Sequence, residues 1–122
     1  GYFAPTTLIV PARGDMVLIT RQMEEVVIRN QVRNAGFIGH GDSETAVDVI
    51  ISCLKGKTIQ KKVGIEAWSS GLAFGMGTKL AEGIRVGEWV DILGMLNEIR
   101  LVKSLEEQTY MRRAAKAADA GT

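Results

Sequence analysis

Apolar residues in this chain fall into short blocks separated by glycine, proline and charge. Thr6 to Val10 is β-branched and apolar, Pro11 closes it, Ala12-Arg13-Gly14-Asp15 reads as a turn, and Met16 to Thr20 is apolar again, which predicts a β-hairpin. Leu8-Ile9-Val10 and Val17-Leu18-Ile19 are continuous runs rather than alternations, so both faces of these strands are expected to be covered, with helices on either side. From Gln22 to Arg33, Met23, Val26, Val27 and Ile28 recur at helical spacing among charged residues, predicting a helix. Asn34 to Gly41 reads as a short strand or loop. A second helix follows, capped by Asp42 or Ser43, striped by Ala46, Val47, Val49, Ile50, Ile51 and Leu54, and ended by Gly56.

After Lys61-Lys62, the segment Val63-Gly64-Ile65-Glu66 predicts another strand. Ser69 or Ser70 is the expected cap of a third helix, in which Trp68, Leu72, Met76 and Leu80 form one ridge toward the sheet. Glu88-Trp89-Val90-Asp91 is a last strand, and Ile92 to Ile99 a short helix with Leu93, Leu96 and Ile99 inward. Ser104-Leu105-Glu106-Glu107 fits the capping box that opens a helix, here running to Ala120, with Met111, Ala114, Ala115 and Ala118 on a face that needs a partner. Helices interleaved with strands in this order imply a three-layer α/β domain.

The chain's 122 residues suffice for one domain, whose folding buries roughly two-thirds of the unfolded surface. With 46% hydrophobic and 24% charged residues and a mean hydropathy of +0.07, the composition is that of an ordinary globular domain. A formal net charge of +1 advertises no polyanion, so nucleic acid is not an expected partner. A single cysteine, Cys53, permits no internal disulfide and fits a reducing compartment, making the cytoplasm the expected location. No apolar run approaches the roughly 20 residues of a spanning helix, and no membrane association is expected. The chain opens on Gly1 rather than Met and reaches a strand almost at once, which suggests a piece of a longer polypeptide.

Candidate chemistry is sparse. His40, the one histidine, sits between Gly39 and Gly41 on what reads as an exposed segment, with Asp42 close enough to orient its ring; no second metal ligand accompanies it, and a solvated loop histidine is the simpler reading. Cys53 falls on the apolar side of the second helix, where a thiol acts as a small hydrophobe. Neither Gly36-Phe37-Ile38-Gly39-His40-Gly41 nor Gly71-Leu72-Ala73-Phe74-Gly75-Met76-Gly77 matches a phosphate-binding loop; the first reads as a bend. In the second, Gly71 and Gly75 share one face of the predicted helix, which lets another backbone approach and makes them candidates for a subunit interface. Arg13-Gly14-Asp15 is explained by a glycine-centred turn without any receptor. Glu24-Glu25 and Glu106-Glu107 are helix neighbours about 100° apart and cannot act as a catalytic pair.

The tail carries a more specific signal. Arg100-Leu101-Val102-Lys103-Ser104-Leu105-Glu106-Glu107 followed by Met111-Arg112-Arg113-Ala114 resembles the R-x-x-K-S-x-x-E … M-R-x-A junction of the creatinase, prolidase and aminopeptidase P family, which joins an N-terminal domain to a pita-bread metallohydrolase domain. Thr7-Leu8-Ile9-Val10-Pro11 with Gly14, Val17-Leu18-Ile19-Thr20-Arg21, Val63-Gly64-Ile65-Glu66 and Trp89-Val90-Asp91 match in the same order, and Gly1-Tyr2-Phe3 resembles the end of the family's Y-L-T-G-f segment.

The resemblance implies a creatinase-type N-terminal domain over residues 1–103, a mixed β-sheet flanked by helices similar to the ribonuclease H-like fold. Residues 104–122 would then be a helix leading toward a catalytic domain. Family members begin with a helix and a strand that would precede Gly1, so unpaired sheet edges are expected here. By the same resemblance the metal ligands belong to the later domain and no catalytic residue is carried by this chain. The parent enzyme would hold two divalent ions (Mn, Co or Zn) unless it is creatinase-like, which needs none. Expected partners are the chain's own catalytic domain and a second subunit, with Tyr2 and Phe3 near the substrate entrance. The alternative is an independent α/β module that holds a small ligand in its glycine-rich bends.

Overall fold

The computed structural model describes residues 5–121, apart from the side chain at position 60. The predicted hairpin is present as β1 (Thr7–Ile9) and β2 (Met16–Arg21), paired antiparallel with Thr7 opposite Ile19 and Ile9 opposite Val17. Gly14 in the connecting turn has φ +100, a left-handed value that favours glycine. A short 3-10 turn, Gln22–Glu24, leads into α1 (Glu25–Gln31). The glycine-rich stretch read as a strand or bend is β3 (Ala35–His40), parallel to β2 with Ile19 beside Ile38 and Arg21 beside His40.

Next come α2 (Ala46–Leu54), β4 (Ile59–Ile65), α3 (Phe74–Gly83), β5 (Val86–Asp91), α4 (Leu93–Leu101) and α5 (Leu105–Ala120). Strand β5 runs parallel to β4, placing Val63 beside Trp89 and Ile65 beside Asp91. The α/β architecture with a mixed sheet is therefore present, but its hydrogen bonding is divided into two sheets, β1-β2-β3 and β4-β5. Among the described residues β1 bonds only to β2 and β4 only to β5, so each keeps an unpaired edge.

One core nonetheless joins both sheets. Ile19 from β2, Ala46, Val47, Val49 and Ile50 from α2, Leu80 from α3 and Ile84 are buried together, with Ile9, Val17 and Ile38 from one sheet and Ile65, Val86 and Trp89 from the other packed around them. Because strand side chains alternate between faces, Ile9, Val17, Ile19 and Ile38 form the core face, while Leu8, Leu18 and Phe37 occupy the opposite one. Cover on that second face is incomplete, contrary to the expectation from the apolar runs: Leu8 is 49% exposed, whereas Thr20 at the end of β2 is buried and its hydroxyl accepts from Thr6 Oγ1 at 3.2 Å.

Helix boundaries departed from the predicted ones where side chains competed for backbone amides. The cap of α2 is Thr45, not Asp42 or Ser43. Its hydroxyl accepts from Asp48 N at 3.4 Å, and the Asp48 carboxylate accepts from Thr45 N at 2.9 Å, a reciprocal box that Thr-x-x-Asp supplies as well as Ser-x-x-Glu. The third helix starts at Phe74 without a side-chain cap, because Ser69 turns its hydroxyl to the Gly71 amide at 3.3 Å and closes a tight turn instead. The predicted ridge is consequently broken: Leu80 is buried, Leu72 and Met76 are half-buried, and Trp68 is exposed.

Elsewhere periodicity found apolar stripes but not their partners. Met23, Val26 and Val27 are exposed, Met23 because it stands in the 3-10 turn before the helical register begins. Ile99 is exposed while Leu93 and Leu96 are half-buried as expected. In α5 the Ser104–Glu107 capping box forms, with Glu107 N donating to Ser104 Oγ at 3.1 Å and Ser104 N to Glu107 Oε2 at 2.8 Å. Every residue of that helix is nevertheless exposed except the half-buried Gln108.

Candidate functional site

His40 ends β3 and is only 8% exposed, so it is not the solvated loop residue that its glycine neighbours suggested. Its Nδ1–H donates to the Gly41 carbonyl at 3.0 Å. Asp42, expected to orient the ring, instead forms an ion pair at 3.8 Å with Arg21, the residue beside His40 in the parallel register. Of the two glycines beside His40, Gly41 is open, since a Cβ there would meet nothing within 4 Å, while Gly39 relieves crowding. A Cβ on Gly39 would come within 2.8 Å of Gln22 Cα.

Cys53 is exposed rather than on the buried side of α2. Its wheel position lies near Ala46 and Val49, but it stands in the last turn, past Ile50, the last buried residue of the helix, where Ile51 and Leu54 still pack against the core. The adjacent carboxylates hold structural roles: Glu25 accepts from Arg29 Nε at 2.7 Å and from Gln22 Nε2 at 2.5 Å, and Glu107 is the reciprocal member of the α5 cap. Hydrogen bonds from the Ser104 amide and hydroxyl lower the Glu107 pKa. Asp48 is held well below the usual carboxylate range, first by its hydrogen bond with Lys79 of α3 at 2.5 Å and then by the Thr45 amide and hydroxyl. The Lys79 contact ties α2 to α3 at the edge of the core. Among the described residues no three His, Cys, Asp or Glu side chains come together in a way that could hold a metal ion.

Gly71 and Gly75 do not share a helix face, because Gly71 lies in the turn before α3. A Cβ on Gly75 would meet nothing within 4 Å, and one on Gly71 would make only ordinary contacts with Ser69 Oγ at 3.6 Å and Pro5 Cβ at 4.0 Å. The close approaches within the chain are at other glycines. At Gly64 in β4 a Cβ would sit 2.7 Å from Ile92 Cγ2, and at Gly83 in α3 it would sit 2.7 Å from Ile51 Cγ1. A glycine inside a strand was the sequence signal for Gly64, whereas nothing in the sequence marked Gly83, whose neighbour Ile51 comes from another helix. Tyr2 and Phe3 lie outside the described residues.

Two surface hollows stand out among the described residues. One is lined by Thr109, Arg112, Arg113 and Lys116, successive positions on one side of α5; the other lies between α1 and β3 beside Ile28, Val32 and Phe37. Neither gathers a nucleophile, a base and its orienting partner. No helix among the described residues is long and apolar enough to cross a membrane.

The described residues form an α/β domain in which a mixed three-stranded sheet and a parallel β4-β5 pair are flanked by helices. The chain belongs to the Creatinase/Prolidase N-terminal domain family, whose model matches residues 1–102. Its fold is also that of a solved structure, a recombinant prolidase from Thermococcus sibiricus, with a TM-score of 0.69 at 18% identity. The match covers 97% of this chain and 31% of the prolidase chain, so the present chain spans about a third of that protein. No curated protein matches it.

Proposed function

We propose that the chain is the non-catalytic N-terminal domain of a metal-dependent hydrolase that cleaves a C–N bond, of the Xaa-Pro peptidase or creatinase kind. In this reading the domain helps assemble a homodimer, with Gly71 and Gly75 at the subunit interface, and borders the substrate entrance through Tyr2 and Phe3. The observation that carries the reading is the family match over residues 1–102, supported by a fold likeness that extends across 97% of the chain. In this reading the two divalent ions of the hydrolase, unless it is creatinase-like and needs none, would be held by a following domain, with the whole protein in the cytoplasm.

The test compares the purified 122-residue chain with the protein translated from the complete reading frame, assayed on Xaa-Pro peptides and creatine with Mn²⁺, Co²⁺ or Zn²⁺. Hydrolysis is expected from the longer protein alone. Chelator-sensitive turnover by the pure short chain would overturn the proposal.

A further inference from the structure

We infer that the outward side of α4, continued into the start of α5, is the docking face for the domain that follows in the longer protein. This rests on the functional reading above. Leu93 and Leu96 of α4 are half-buried, yet Met95, Ile99, Leu101, Val102 and Leu105 are 52%, 65%, 75%, 81% and 82% exposed. A helix with apolar side chains on its outer as well as its inner side is built to be covered on both. Helix α5 sharpens the point: its 16 residues have no buried member, whereas most helical stability in proteins comes from packing an apolar face against a neighbour.

The occupant is argued from connectivity. The family model ends at residue 102, between α4 and α5, while the likeness to the prolidase covers 97% of the chain and leaves more than two-thirds of that protein outside the match. Only Val102, Lys103 and Ser104 separate α4 from α5, so a domain carried by α5 is tethered within a few residues of the apolar surface, at an effective concentration no second molecule matches. Arg112, Arg113 and Lys116 line the hollow along α5, which defines the chemistry of the covering surface: apolar opposite α4, carboxylate-bearing opposite α5. Another exposed apolar set, Met23 and Val26 near α1, has no such tether and serves as the internal control.

Amide hydrogen exchange tests the inference, comparing the 122-residue chain with the protein from the complete reading frame. Amides of α4 and α5 should exchange about tenfold or more slowly in the longer protein, with α1 unchanged. The double substitution I99K/V102K should leave the melting temperature of the short chain unaltered, since both side chains are mostly exposed, and should abolish the slowing at α4 in the longer protein. Equal exchange of α4 in the two proteins would overturn the inference, as would slowing at α1 instead, or protection of α4 in the short chain that grows with its concentration, which would make a second copy the occupant. A longer protein that covers α4 but shows no metal-dependent hydrolysis refutes the functional reading and leaves the docking face standing; an active hydrolase with α4 open refutes the docking face alone. A reading frame with no further domain refutes both.

Discussion

Gly83→Ala sets two effects of similar size against each other at the end of α3. In an isolated helix alanine is favoured over glycine by about 1 kcal/mol, because glycine surrenders more backbone freedom. Here the new Cβ would lie 2.7 Å from Ile51 Cγ1 and 3.4 Å from Ile51 Cγ2, with Cδ1 closer still. Rotation about χ2 moves Cδ1 but not Cγ1. Relief therefore needs a change in χ1, which a β-branched residue inside a helix strongly resists. Overpacking of this kind costs about 1–3 kcal/mol, so the net expectation is a loss of about 1 kcal/mol, or roughly 3–6 °C in melting temperature at this chain length. Urea unfolding followed by tryptophan fluorescence reads the change as a lower midpoint at constant slope. Gly75→Ala in the same helix is the contrast: a Cβ there meets nothing within 4 Å, and the variant should gain up to about 1 kcal/mol. In an Ile51→Ala background the clash disappears, and Gly83→Ala should become neutral or stabilising, a coupling of about 1 kcal/mol or more. If Gly83→Ala stabilises the unmodified chain as Gly75→Ala does, Ile51 yields without cost and the close-packing argument is wrong.

Other perturbations separate local from global effects. Ser104→Ala removes the α5 cap and should lower far-UV helicity and protection over residues 105–120; the domain's melting temperature should stay put, because α5 buries nothing against the core, and a fall of several degrees would show that it does. Asp48 has a lowered folded-state pKa, so its contribution to stability is complete above the unfolded carboxylate pKa near 4 and is lost as pH falls below it. Asp48→Asn should thus destabilise the chain at pH 7, with the gap to wild type narrowing as pH is lowered below about 4; a pH-independent gap in chemical denaturation would contradict the Lys79 and Thr45 contacts. In the longer protein, Phe3→Ala should raise KM or shift substrate preference with metal content and melting temperature nearly intact, whereas lost stability with unchanged kinetics would make Phe3 a packing residue.

Legibility in the sequence followed the range of the interaction. The β1-β2 hairpin, the α2 stripe and the Ser104 box depend on residues within one turn or one strand of each other, and each is present where apolar alternation, helical spacing or cap chemistry put it. Thr45 and Ser69 mark the limit of that rule: several hydroxyls compete for the same amides, and which one wins depends on a backbone path that extends beyond the motif. For the candidate site, the closeness of Asp42 in sequence suggested that it orients the His40 ring, but Arg21 takes Asp42 and the ring turns to a carbonyl, and the burial of His40 was not readable from its glycine neighbours.

By itself the sequence determined the elements, their alternation and the family, because hydrophobic periodicity and short motifs are properties of neighbouring residues. Only the tertiary structure decided which apolar stripes are core. Met23 and Ile99 carry the same periodic signal as Val47 and Ile50, yet the first pair faces solvent and the second is buried, since burial depends on what another part of the chain brings opposite. The same holds for glycine. Gly75 and Gly83 stand in one helix and read alike in sequence, but Ile51, far away along the chain, presses on one of them and leaves the other open.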